Sequence, residues 1–223
     1  MLVATARALI DIALAQLGTK ESPAGSNNVK YNTAYYGREV YDGLWETTFP
    51  WCVVFLWWCF REAGASALFY GGDKTASCGT LLGYYRARGQ TVTDGDYQPG
   101  DLLFYNFTGG SDPEHVGLCE SFGGATVMSI EGNTGIGNDA NGGAVMRRSR
   151  TLGQIVGAAR PLYEKEDTMD NTPSPAHKES VEWAVKQGIL QGNAEGDLML
   201  SQPVTREQMC TMLHRLAKTL EKS

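Results

Sequence analysis

The run Cys52-Val53-Val54-Phe55-Leu56-Trp57-Trp58-Cys59-Phe60 carries no charge over nine residues. A helix that is apolar on every side belongs in an interior, so the rest of the chain must wrap this one. Phe49-Pro50-Trp51 precedes the run and sets Cys52 on the first turn of the buried helix. First-turn N–H groups have no intrahelical partner, and the positive end of the helix dipole lies there. Both stabilise a thiolate and lower the thiol pKa from its free value of roughly 8.5. His115, one of three histidines, lies in Glu114-His115-Val116-Gly117-Leu118. A cysteine followed much later by a histidine, each on a regular element, is the pattern of a cysteine hydrolase whose pair meets in space.

Apolar residues at three- and four-residue steps from Ala6 to Leu17, stopped by Gly18, predict an amphipathic helix over 4–17. Residues 18–50, rich in Asn, Gly, Ser and Tyr, are expected to form a long irregular lead-in and a wall of the cleft. A second short helix is expected near Cys78 to Arg88. Short β-type runs follow at 102–105, 115–121, 125–131, 144–147 and 155–162, separated by Gly-, Pro- and Asn-containing turns. Helices first and strands after predict an α+β domain with an antiparallel sheet or small barrel. That domain should occupy residues 1–163. The acidic, proline-containing stretch 164–176 is expected as a linker, and 177–223 as a small helical module in which Thr205-Arg206-Glu207-Gln208 caps the second helix. So small a module is expected to dock on the main domain, on a second copy of itself or on an external partner.

Charge narrows the partners. Lys and Arg number 12 against 15 Asp and Glu through Tyr163, and 7 against 10 beyond it. An acid excess in both parts argues against nucleic acid and membrane surfaces. Five cysteines without CxxC spacing resemble neither a disulfide framework nor a structural zinc site, and are read as reduced. Arg7 and Asp11 interrupt the N-terminal apolar pattern, so no signal peptide or membrane span is expected there. Synthesis in the cytoplasm follows, or secretion if a signal was trimmed. His115 and Cys119 on one strand face lie about 13 Å apart, too far for one zinc ion, and no metal site is assigned.

A mechanism needs a third group. If the strand from His115 turns at Gly123-Gly124 and the next runs back antiparallel, its end places Glu131 beside His115. A carboxylate there would accept the imidazole Nδ1–H and leave Nε2 for the thiol. Asn133, on the same pleat face by the period of two, would hold the glutamate or donate into the cleft. Trp51 stands between core and cleft wall. With Asn28 and Tyr31 it is assigned to substrate contact, whereas Cys59, Cys78, Cys119 and Cys210 are read as structural, and His177 and His214 as surface residues.

Pro50-Trp51-Cys52 with the aromatic helix behind it, Pro99-Gly100-Asp101-Leu102-Leu103-Phe104, Glu114-His115-Val116-Gly117 and Ile130-Glu131-Gly132-Asn133 together resemble CHAP-domain peptidoglycan hydrolases, which are papain-like amidohydrolases. The likeness spans residues 5–163, and Gly18, Glu21, Asn28 and Tyr31 in the lead-in are also similar. It implies a papain-like fold, with the family's Cys, His, Glu and Asn on Cys52, His115, Glu131 and Asn133. Some CHAP domains use acidic loops for calcium, and Glu39, Asp42 and Glu46 are similar in kind, which leaves Ca2+ as the one open cofactor. The tail resembles one copy of a surface-layer homology module in Glu182-Trp183-Ala184-Val185-Lys186-Gln187-Gly188-Ile189 and Thr205-Arg206-Glu207-Gln208-Met209. That implies binding of a secondary cell-wall polymer, with Arg206 as the wall contact, or self-association. Together the two likenesses imply an endolysin of a Gram-positive host, released through a holin, or an autolysin. The expected substrate is peptidoglycan, cleaved as an N-acetylmuramoyl-L-alanine amidase or as a stem or cross-bridge endopeptidase, the amidase being favoured. A non-catalytic wall-binding protein is the alternative of another class.

Overall fold

The computed structural model describes residues 4–164, 171–174, 176–194, 196–200 and 204–220. The chain divides into two compact units, residues 1–165 and 166–223. Of the expected linker, residues 165–170 and 175 lie outside the described residues.

In the first unit, α1 (Ala6–Leu14) starts where Thr5 Oγ1 accepts the N–H of Ala8 at 3.1 Å, a side-chain cap on an otherwise orphan donor. Its buried stripe is Leu9, Ile10 and Ala13. The lead-in is not wholly irregular, because α2 (Lys30–Tyr36) forms inside it and ends on Gly37 in the left-handed region. Helix α3 (Cys52–Glu62) is the buried helix, with all but Trp58, Arg61 and Glu62 enclosed. Helix α4 (Cys78–Arg86) opens behind Ser77, whose Oγ accepts the Thr80 N–H.

Five strands follow: β1 (Leu102–Tyr105), β2 (His115–Phe122), β3 (Thr126–Thr134), β4 (Ala144–Thr151) and β5 (Ile155–Ala159). They pair antiparallel in the order β4-β3-β2-β1-β5, which leaves β4 and β5 at opposite edges. This is the α+β architecture the pattern predicts. Chain flanking the helices covers the edges. The N–H of Gly18 donates to Val145 and that of Val145 to Thr19 along β4, while Val92 N–H donates to Ala158 along β5.

The sheet has two working faces. Leu102, Phe104, Val116, Leu118 and Ile130 join the main core with α1, α3 and α4, whereas Leu103, Tyr105, Cys119, Val127 and Ala158 form a second cluster. Directly paired residues share a face, so the pairs Tyr105↔His115 and Cys119↔Ser129 put His115, Ser129 and Glu131 on the side of the second cluster.

Contact between α3 and β3 depends on Gly132. A Cβ there would lie 2.5 Å from Phe55 Cβ, closer than two carbons can approach. Gly132→Ala is expected to cost about 3 kcal/mol or more, lowering the thermal midpoint of the full chain by about 6 °C or more. Near-UV circular dichroism on heating checks this, and an unchanged midpoint would show that α3 does not pack here.

In the second unit, α5 (Lys178–Lys186) and α6 (Arg206–Leu220) flank a loop that buries Ile189. Thr205 and Gln208 cap α6 reciprocally, each side chain accepting the other's backbone N–H. A cavity of about 700 Å³ is lined by Leu190, Leu198, Met199, Met212 and Arg215 among others. Arg206 is exposed at the first position of α6.

Candidate active site

Cys52 is the first residue of α3, and no side chain caps that end of the helix. The first-turn amides are therefore free to act on the sulfur, and Val53 N–H does so. The Sγ of Cys78, itself the first residue of α4, lies 3.8 Å from Cys52 Sγ. The Cys78 thiol acts as donor to Cys52 and is the largest cause holding the Cys52 pKa well below the usual thiol range. Burial opposes the shift, and His115 adds to it. The same contact and burial push Cys78 well above that range, so one sulfur ionises at the expense of the other.

His115 is fully enclosed, and its Nε2 lies 3.1 Å from Glu131 Oε2. Gly117 makes this reach feasible. One step along the register from Leu118↔Ile130, it stands opposite Glu131, and a Cβ on it would sit 2.7 Å from Glu131 Cγ. The glutamate therefore crosses diagonally to His115 over a position with no side chain. Burial alone would depress the imidazole pKa, but the Cys52 thiolate and the Glu131 carboxylate outweigh it and raise the value to about 9. The rings of Phe107 and Tyr105 flank the imidazole, with centroids 5.9 and 6.4 Å away.

The nitrogens are the reverse of the sequence expectation. Glu131 engages Nε2, so the nitrogen left for the thiol is Nδ1, which has no formed hydrogen bond. Glu131 reaches the imidazole across the Gly117 position and meets it at Nε2. Cys52 and His115 shift each other's pKa by hydrogen bonding and by charge, although Nδ1 has no partner within ordinary hydrogen-bond distance, a contact of the kind that tightens when substrate arrives.

Glu131 is held from three sides. Ser129 Oγ donates to Oε1 at 2.6 Å, and Arg150 donates through Nε to Oε1 at 2.9 Å and through Nη2 to Oε2 at 2.5 Å. Burial would raise the carboxyl pKa, but Arg150 and His115 bring it down to about 2. Arg150 is itself 3 % exposed, reaches Asp139 at 2.7 Å, and stacks its guanidinium 4.6 Å from the Phe107 ring centre.

Other expected site residues lie elsewhere. Asn133 is buried, but its φ of +60° and the register shift between Glu131 and Thr134 break the two-residue alternation. Its Nδ2 donates to Asn141 Oδ1 rather than to Glu131. Trp51 and Tyr31 are completely enclosed and packed on each other at 5.5 Å, so neither presents a surface to substrate. Trp51 Nε1 donates to the buried Glu21 carboxylate at 3.2 Å, a partner thirty residues away that draws the ring inward. Asn28 is half-buried and donates to Glu39 Oε1. Among the described residues no three His, Cys, Asp or Glu side chains converge as a metal site, and no helix is long and apolar enough to cross a membrane.

Sequence reasoning missed Arg150 and Cys78. Cys78 carried the same signal as Cys52, a thiol on the first turn of a helix, here announced by the Ser77 cap. Arg150 had only its place in Arg147-Arg148-Ser149-Arg150, where alternation does not say which arginine is buried.

No curated protein matches the chain in sequence. Among solved structures, a crystal structure of Ly7917 is similar at 18 % identity with a TM-score of 0.44, covering 70 % of this chain and 62 % of that one. A second, of Ly7917 "with the hydrolyzing product of MDP", gives 18 % and 0.42 over 70 % and 63 %. The chain thus spans less than two thirds of the structures it matches. Residues 45–133 match the family model of the CHAP domain, a span that contains Cys52, Cys78, His115, Glu131 and Asn133 and ends before Arg150.

Proposed function

We propose that this chain is a cysteine-dependent peptidoglycan hydrolase that cleaves an amide bond. The observation that carries the reading is the line of three groups, the Cys52 thiol on the first turn of α3, the enclosed imidazole of His115 and the Glu131 carboxylate at 3.1 Å. The CHAP-domain match over the same residues supplies the substrate class.

Cys52 thiolate attacks the carbonyl carbon, and first-turn amides, including that of Cys52, face the oxyanion. His115 gives its proton to the departing amine nitrogen, leaving a thioester. Water then loses a proton to His115, its oxygen attacks the thioester carbon, and thiolate is expelled with the carboxylic acid product. Glu131 orients the ring and stabilises the imidazolium. The second unit is proposed as a wall-polymer module, its support being the capped helix–loop–helix and the cavity beside Arg215.

Mass spectrometry of fragments released from purified Gram-positive sacculi tests the reading. An amidase frees the lactyl carboxyl of muramic acid and the amino group of L-alanine, whereas an endopeptidase creates new termini within the peptides. Release of neither, with sacculi only bound, would sink the enzyme. Rates across pH give a second readout. The thiolate–imidazolium pair persists from the depressed thiol pKa up to about 9, where His115 loses its proton. Activity is therefore expected to hold through neutral pH and fall as pH rises through about 9. A fall beginning near 6.5, the ordinary histidine value, would show that His115 is not held by its two anionic neighbours.

A further inference from the structure

The second thiol at the site lowers the Cys52 pKa but takes no bond-making step in the reaction above. Cys52 and Cys78 begin two different helices and bring their sulfurs to 3.8 Å, both nearly enclosed and both free. Two helix N-termini thus converge on one pair of sulfurs. A disulfide needs about 2.05 Å between sulfur atoms, so the gap to close is roughly 1.8 Å. The other thiols are placed differently. Cys59 and Cys119 are fully enclosed, and Cys210 is exposed in the second unit.

We propose that Cys52 and Cys78 form a covalent oxidation site for small hydroperoxides, closing as an intramolecular disulfide that caps the nucleophile. The proposal rests on the reading of Cys52 as the nucleophile. Cys52 thiolate attacks one peroxide oxygen. The O–O bond breaks, hydroxide leaves, and the sulfur, oxidised by two electrons, becomes a sulfenic acid. Cys78 then attacks that sulfur. The S–S bond forms, the S–O bond breaks, and the Cys78 proton leaves with the hydroxide as water. The order of events follows from the electrostatics of the pair. While Cys52 is a thiolate, it keeps Cys78 protonated by hydrogen bond and like charge. Conversion of Cys52 to a neutral sulfenic acid removes that restraint, and Cys78 becomes nucleophilic at the moment its partner becomes electrophilic. Without Cys78, the sulfenic acid would proceed to sulfinic acid, which simple thiols do not reverse.

The test uses the full chain carrying Cys210→Ser, which removes the exposed thiol, treated with hydrogen peroxide. The expected product is lighter by two hydrogens, and its unreduced peptide map joins the Cys52 peptide to the Cys78 peptide. Hydrolysis of sacculi is expected to be lost almost completely and regained with dithiothreitol. In Cys78→Ala on the same background, compared with its own untreated rate, loss without recovery and oxygen addition at Cys52 are expected. Oxygen adducts at Cys52 with Cys78 still present and no 52–78 link would overturn the proposal, as would a link from Cys52 to Cys59 or Cys119. Linkage is read by mass and hydrolysis by released fragments. A chain that forms the link but never cuts sacculi therefore refutes the enzyme reading alone, and one that cuts but never links refutes only the oxidation site.

Discussion

Replacing Cys52 with alanine is expected to reduce fragment release from sacculi by at least about 10³-fold, since loss of a nucleophile removes the covalent route altogether. The fold should survive. Cys52 is a small side chain at the start of α3, and deleting one sulfur costs on the order of 1 kcal/mol in a typical buried site. The stability effect even has an offset, because the substitution removes a thiolate from an enclosed position. Cys59→Ala and Cys119→Ala are the informative controls. Burial pushes both thiols above the usual range, so they are protonated, unreactive filling in the interior. Their removal should lower the thermal midpoint without touching the chemistry. Iodoacetamide at pH 6–7 adds a readout independent of substrate, with selective labelling of Cys52 in the parent and none at that position in the variant. Full lytic rate in Cys52→Ala would sink the mechanism outright.

How much of this was legible in the sequence differs by the range of the interaction concerned. The five strands could be read from their apolar runs and turns, and the hairpin at Gly123-Gly124 led directly to Glu131 beside His115. These are local patterns propagated through an antiparallel register. Helix α2 escaped because no side chain caps its start at Val29 and it buries only Tyr31 and Asn32, leaving Gly37 as its one signal. Trp51 was misplaced because its depth is set by Glu21, and no periodicity connects residues thirty apart. Asn133 failed for a different reason. A left-handed residue inside a strand voids the alternation on which the expectation rested. The choice between Nδ1 and Nε2 was equally hidden, since it depends on the diagonal that Gly117 opens across the sheet. Composition placed charge on both units in acid excess but gave no hint that one arginine would be buried at the site.

That arginine carries the second large effect. Arg150→Met is expected to destabilise the protein by about 3–5 kcal/mol, the usual consequence of leaving one member of a buried ion pair without its partner. Glu131 would keep Ser129 and His115 but lose both guanidinium hydrogen bonds. Its folded pKa of about 2 lies below the ordinary carboxylate value, so in the parent it contributes stability that is fully present above the unfolded pKa and is lost progressively as pH falls from there through about 2. Without Arg150 burial dominates, the folded pKa rises, and the contribution shrinks or changes sign. Unfolding midpoints measured from pH 3 to 8 should show the variant losing its pH-dependent gain. Activity should follow, with the acid-side decline moving to higher pH as Glu131 takes up a proton and ceases to hold the imidazole by charge. A purely packing role predicts a uniform loss of stability and an unshifted pH profile. Arg150→Lys separates the two, since lysine restores the charge without the bidentate fork and should recover part of the stability and most of the acid-side profile. An Arg150→Met protein with the parent's midpoint and pH profile would mean that Glu131 is held by His115 and Ser129 alone.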